Sequence, residues 1–152
     1  MKFGKKVVVA VDMNETSFEH MKMLRHLDFL KQSEVHFVHV SQSNSYGYGF
    51  GEVSLVYPTA ADQELLEQVV QTKLNKWSQE VMPMGSQGNV TTRCLFDEKP
   101  KEKLCLYATE VNADMIVILA RDKHGFFDSS FSQYVTRHSK CHVLILKQNQ
   151  EK

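Results

Sequence analysis

The sequence predicts an α/β protein with a doubly wound, five-stranded parallel sheet in the order 3-2-1-4-5 and helices on both faces. One observation is a set of short, continuous apolar runs, such as residues 7–11 and 115–119, typical of strands buried on both faces. Another is that stretches with helical periodicity alternate with these runs, which implies parallel strands joined by right-handed crossovers. The length of 152 residues is most simply one domain, large enough to need no disulfide or metal.

The chain opens with strand 1 and a predicted helix. Residues 7–11 form the strand, and Asp12 ends it. Residues 16–19, with the sequence TSFE, fit a capping box. A single helix is predicted from apolar side chains at near-helical spacing: Phe18, Met21, Leu24, Leu27 and Leu30.

Strand 2 and a long helix follow. Residues 35–40 form the strand, and a loop rich in Ser, Gly and Tyr comes next. The alternating aromatics of residues 45–52 are interpreted either as a flexible loop or as a lid or partner-binding loop. The second helix is predicted from one apolar stripe: Leu66, Val70, Leu74, Trp77 and Val81.

The second half of the chain contains three more strands and two helices. Strand 3 covers residues 89–95, and Pro100 suits the first turn of the helix that follows, because its missing N–H would have no partner there. Strand 4 covers 115–119, the last helix 130–139, and strand 5 residues 141–146. A polar tail, residues 148–152, ends the chain.

The composition of the strands predicts their places in the sheet. Strand 3 contains Thr91, Thr92 and Arg93 and is the most polar, so we place it at an edge, with strands 1 and 4 in the centre. In the resulting order, the loops after strands 1 and 4 flank the crevice where doubly wound sheets bind ligands.

Strand 5 lies at the other edge, yet it is as apolar as a central strand: His142, Val143, Leu144, Ile145 and Leu146. A bare apolar edge invites pairing with another chain, and a two-fold dimer would hide it. We therefore predict a homodimer through residues 142–146. The alternative is that the chain's own helices and tail cover the strand.

Composition argues against several classes of partner. The 18 basic and 18 acidic residues give zero formal charge, which argues against nucleic-acid binding. No apolar run is long enough to cross a membrane, and no signal peptide is recognisable. The three cysteines form no C-x-x-C pair, so a reduced, cytoplasmic protein is expected.

No catalytic or metal site is predicted. His36 and His39 lie three apart on a strand, so their side chains should point to opposite faces. The other five histidines form no ligand cluster either. No serine lies in a G-x-S-x-G elbow, and Cys141 is interpreted as a small buried apolar residue.

Four segments together resemble the universal stress proteins: KVVVAVDMNETS at 6–17, FVHV at 37–40, ATEVNADMIVILA at 108–120 and YVTRHSKCHVLIL at 134–146. The resemblance implies one domain over 1–147, with the adenine nucleotide alpha hydrolase-like fold. It also implies a cytoplasmic homodimer formed through the last strand. One branch of that family binds ATP through a G-x2-G-x9-G-[S/T] loop after the fourth strand, and another branch, that of universal stress protein A, lacks this loop.

The segment after strand 4 does not contain that pattern. Ala120 and Lys123 take the places of the first two glycines, and the segment is too short to end at Ser129 and Ser130 with the expected spacing. Gly125 is the only glycine there, and the aspartates of the segment would repel a triphosphate. Ser130 and Gln133 fit a capping box instead.

The sequence thus favours a regulatory or interaction protein of the stress response with no cofactor, an unidentified protein partner being possible. The alternative is an ATP- or AMP-binding member with a remnant site, which could act as a slow ATPase. By match to the family, Asp12 and Val40 would contact the adenine end, together with Gly125, Ser129 and Ser130. A flavodoxin-like electron carrier ranks last, because no glycine follows strand 1.

Overall fold

The computed structural model describes residues 5–12, 17–42, 60–82, 89–120 and 129–147. The loop 45–52, Gly125 and the tail 148–152 lie outside these ranges. The strands are β1 (Lys6–Ala10), β2 (Glu34–Gln42), β3 (Val90–Asp97), β4 (Met115–Ala120) and β5 (His142–Lys147). The α-helices are α1 (Ser17–Met21), α2 (Ala60–Val81), α3 (Pro100–Glu110) and α4 (Ser129–His138).

The five strands form one parallel sheet in the order β3-β2-β1-β4-β5, which confirms the predicted topology. β1 lies in the centre, where Val8 is paired with His36 of β2 and with Ile116 of β4. β3 and β5 are the two edge strands, as their positions in the order require.

Helices cover both faces of the sheet and produce two separate cores. On one face, α1 and α2 pack on β1 residues Val7 and Val9 and on Phe37 of β2. On the other face, α3 and α4 pack on Val8 and on Val38. The alternation of side chains along each strand explains this division, because neighbouring residues point to opposite faces.

The first predicted helix was wrong in its type and continuity. α1 has only five residues, and two 3₁₀ helices follow it, Lys22–His26 and Asp28–Gln32, with Leu27 extended between them (φ −99°, ψ 92°). The apolar residues recur every third position, which is the period of the 3₁₀ helix, whereas an α-helix has 3.6 residues per turn. Leu24 and Leu30 are buried by this arrangement.

The second predicted helix exists, but its apolar stripe is shorter than expected. Val70, Leu74 and Val81 are buried, whereas Leu66, which the predicted stripe includes, is 47% exposed. Leu65 is more exposed still. The first turns of α2 therefore extend past the described part of the core, which helical periodicity alone does not reveal.

Candidate functional site

The crevice predicted after strands 1 and 4 would lie at the carboxyl ends of β1 and β4, and the structure describes Asp12 and the end of β2 beside it. Asp12 follows β1 by two residues, and the pairing of Ala10 with Val38 places Val40 at the level of Asp12. The structure thus brings Asp12 and Val40 to the same end of neighbouring strands.

These two residues differ in what they offer a ligand. Val40 is 1% exposed and belongs to the core beneath α3 and α4, so its side chain serves packing. Asp12 is half-buried and already has an interaction within the chain.

The other remnant-site candidates are placed only in part. Gly125 lies outside the described residues. Ser129 and Ser130 form the first turn of α4, and Ser130 is exposed with an interaction of its own. The structure therefore tests neither the capping box nor a ligand contact of these serines.

His39 lies near the end of β2, and the sequence reasoning considered it only as a metal ligand. It is 8% exposed, and its Nδ1–H donates to the carbonyl of Val11 at 2.8 Å. Burial lowers the pKa of His39 below its ordinary 6.5, although the bond to Val11 and the charge of Asp12 oppose this. A buried imidazole that is neutral at pH 7 thus lies between the carboxyl ends of β1 and β2. Its place became visible only with the register of the two strands.

We expect His39 to make the stability depend on pH below neutrality. Well above pH 6.5 the imidazole is neutral in the folded and the unfolded chain. As the pH falls through 6.5, the unfolded chain binds a proton at His39 before the folded chain does, because the pKa is lower in the folded chain. The free energy of unfolding should therefore fall with decreasing pH, by at most about 1.4 kcal/mol per pH unit from this residue. Urea unfolding between pH 7 and 5 checks this against His39→Gln, whose amide retains a donor for Val11. Equal slopes for the two proteins would contradict it.

The other histidines and cysteines of the described residues form no cluster typical of a metal or nucleophile site. His36 lies near the hydroxyl of Tyr107 (2.8 Å) on the face opposite to His39, in agreement with the predicted orientation. Within the described ranges, no group of three His, Cys, Asp or Glu residues could hold a metal ion. Burial raises the pKa of Cys94 and of Cys105 to about 11, which disfavours the thiolate needed by a nucleophile.

The second candidate site is the outer edge of β5. The N–H of His142 donates to the carbonyl of Asp114, so even-numbered residues of β5 turn their peptide groups towards β4. The peptide groups of Val143 and Ile145 consequently point to the open edge. No hydrogen bond from a side chain of the described residues reaches either of them.

Side chains of β5 divide between the two faces. Leu144 and Leu146 pack partly on the core of α1 and α2, and Val143 on that of α3 and α4. Ile145 remains 37% exposed. The Nε2–H of His20, a buried side chain of α1, donates to the carbonyl of Leu146 at 3.1 Å and supports the end of the strand.

At the opposite edge of the sheet, formed by β3, a helix side chain bonds one of the outward peptide groups. The N–H of Glu34 donates to the carbonyl of Lys5, and the carbonyl of Val38 accepts from the N–H of Val11. Even-numbered residues of β2 therefore point their peptide groups towards β1, and odd-numbered residues point theirs towards β3. Phe37 is paired with Thr92, so the N–H and the carbonyl of Phe37 bond to the carbonyl of residue 91 and the N–H of residue 93. The peptide groups of Thr92 therefore point outward, and Nε2 of Gln71 in α2 donates to the Thr92 carbonyl at 2.9 Å.

Together, the fold and these two places define a doubly wound α/β protein with Asp12 and Val40 at the same end of its central strands and an apolar strand at one edge of its sheet. The chain belongs to the universal stress protein family, whose family model matches residues 4–147. A search of curated protein sequences gives no match. Among the described residues, no helix combines the length and the apolar character needed to span a bilayer.

Solved structures with the same fold share little sequence with this chain. The hypothetical protein PH0823 has a TM-score of 0.73 at 24% identity, covering 99% of this chain and 100% of its own. Universal stress protein UspA from Lactobacillus plantarum has a TM-score of 0.64 at 16% identity, with 96% and 99% covered. A universal stress protein family protein from Arabidopsis thaliana, solved with AMP bound, has a TM-score of 0.55 at 17% identity, with 95% and 92% covered. At such identities the likeness shows the fold alone.

Proposed function

We propose that the protein is a homodimeric regulator of the stress response in the cytoplasm, which acts through protein contacts and does not bind ATP. The observation that carries the dimer is the difference between the two edges of the sheet. Gln71 bonds the outward carbonyl of Thr92 on β3, whereas no side chain of the described residues bonds the outward peptide groups of Val143 and Ile145 on β5.

A two-fold axis near Leu144 would satisfy the β5 edge. In an antiparallel pair of β5 strands, Val143 of one copy lies opposite Ile145 of the other, and the two residues exchange both of their hydrogen bonds. The two Leu144 side chains then become neighbours on one face, and the exposed part of Ile145 is buried. Such an isologous contact closes after two copies.

The absence of ATP binding is argued from the sequence and from the crevice. The segment 121–128 contains one glycine, so it lacks the residues that let a backbone curl around phosphates. Two aspartates, at 122 and 128, place negative charge beside any triphosphate. The side chain of Val40, one of the two adenine-end candidates, is enclosed in the core.

A second candidate, AMP or adenosine binding, is supported by the position of Asp12 at the crevice level with Val40. A relative from Arabidopsis thaliana was solved with AMP bound, which makes this ligand the natural probe. An AMP site needs no cradle for β- and γ-phosphates. It is therefore compatible with the sequence of the segment after β4.

Nucleotide release and calorimetry test the proposal. We expect no nucleotide in the supernatant of the denatured, freshly purified protein and no heat of binding for ATP–Mg²⁺. Micromolar affinity for ATP would overturn the proposal. Micromolar affinity for AMP but not for ATP would favour the second candidate, and it should then be lost in Asp12→Ala but kept in the control Asp28→Ala, whose carboxylate is on the surface.

A further inference from the structure

The outer edge of β3 is protected by side chains of α2. Nε2 of Gln71 donates one hydrogen to the Thr92 carbonyl at 2.9 Å and the other to the Thr92 hydroxyl, and that hydroxyl donates to Oδ1 of Asn75. Each amide hydrogen of Gln71 thus has an acceptor on the same edge residue. We refer to these contacts of Gln71, Asn75 and Thr92 as the edge cap.

The edge cap is a local polar contact between α2 and β3, two elements that pack against each other. Beside it, a groove of about 250 Å³ separates α2 from β3. Its lining is largely polar: Asn75, Ser78, Gln79, Val90 and Thr92. The helix therefore stands off from this part of the strand, and side chains at two positions of α2 close the centre of the edge.

An unprotected edge at β3 would change how copies assemble. A dimer formed through β5 has the β3 edge of each copy at its two far ends, because these are the opposite edges of the sheet. If β3 also paired with β3 of another copy, each dimer would add further dimers at both ends and the sheet would grow without closing.

We propose that the edge cap keeps a second copy of this chain from pairing with β3, and so limits the assembly to two chains. The inference rests on the proposed dimer through β5. Gln71 and Asn75 are the residues that carry it. Val90, Thr92, Cys94 and Phe96 of β3 face outward, and among them Thr92, near the centre, is the one whose carbonyl is bonded by a side chain of the described residues.

Removing the cap should let dimers associate further. For Gln71→Ala combined with Asn75→Ala, we expect the weight-average mass from light scattering to at least double and to rise with protein concentration. Each single variant should show a smaller rise. Gln68→Ala is the matched control, a surface glutamine on the same helix one turn away, and should keep the mass of the unaltered protein.

Two further variants separate loss of the cap from general damage. Gln71→Glu with Asn75→Ala also loses the donor, but a charge at an edge blocks strand pairing, so the mass should stay unchanged. Thr92→Pro added to the alanine pair should restore the original mass. The N–H of Thr92 points outward and makes no bond to β2, so proline leaves the sheet intact while it prevents another strand from pairing there. Failure of both rescues would mean that the extra assembly does not use β3 and would overturn the proposal.

The same variants in a Leu144→Lys background distinguish failure of the edge-cap proposal from failure of the proposed β5 dimer. With β5 blocked, the alanine pair should convert a monomer into a dimer that does not grow further. If Leu144→Lys alone leaves the mass unchanged, the β5 dimer is wrong. If the alanine pair produces no added mass in either background, the edge cap does not limit assembly, whatever the outcome for β5.

Discussion

Leu144→Lys is expected to convert the dimer into a monomer. In the proposed pair of β5 strands, the two Leu144 side chains face one another across the axis, so the substitution brings two ammonium groups together. Like charges at an interface cost several kcal/mol, which raises the dissociation constant about a thousandfold or more. Light scattering over a range of concentrations would measure the change.

Two variants control for other consequences of the charge. Leu66→Lys introduces the same group at a leucine that is 47% exposed on α2, and it should leave the dimer intact. Ile145→Lys changes a side chain less engaged with the core than Leu144 and should also give a monomer, with an unaltered circular dichroism spectrum. Dimers that persist in both β5 variants would place the interface on another surface.

Phe37→Ala is expected to cause the largest loss of stability. Phe37 is fully buried in the core beneath α1 and α2, and β2 holds it between β1 and β3. Truncating a buried phenylalanine costs about 3–5 kcal/mol, through lost transfer free energy and the cavity that remains. Urea unfolding at one fixed protein concentration measures this, since a dimer's stability depends on concentration.

Conservative and surface substitutions give the scale for that loss. Phe37→Leu retains most of the apolar volume and should cost clearly less than alanine. Leu65→Ala removes a side chain that is 61% exposed and should change the free energy of unfolding by less than about 0.5 kcal/mol. A loss for Phe37→Ala as small as that of Leu65→Ala would contradict the assignment of this core.

The strands and their order were predictable because burial leaves a direct mark on composition. A strand covered on both faces, such as β1 with Val7, Val8 and Val9, must be apolar throughout, and the edge strand β3 need not be. The residues from Phe18 to Leu30 were misassigned because a spacing of three lies close to helical spacing, although it belongs to the 3₁₀ helix. The exposure of Leu66 was not predictable, because periodicity does not show where a helix leaves the sheet.

The polar contacts that distinguish the candidate sites were not predictable. The bond from Gln71 to Thr92 depends on which way a β3 carbonyl points, and that follows from the register between β2 and β3. His39 likewise acquires its partner, Val11, only through strand pairing. Sequence patterns describe one element at a time, whereas these contacts arise between elements that are far apart in the chain.

Hydrogen exchange of individual amides, followed by NMR in the unaltered protein, tests the dimer through β5 most directly. The N–H groups of Val143 and Ile145 point away from β4, so a partner strand is what would protect them. We predict slow exchange for both, and fast exchange for the outward N–H of Thr92 on the other edge. Exchange of Val143 and Ile145 as fast as that of Thr92, at concentrations well above those of light scattering, would contradict the account.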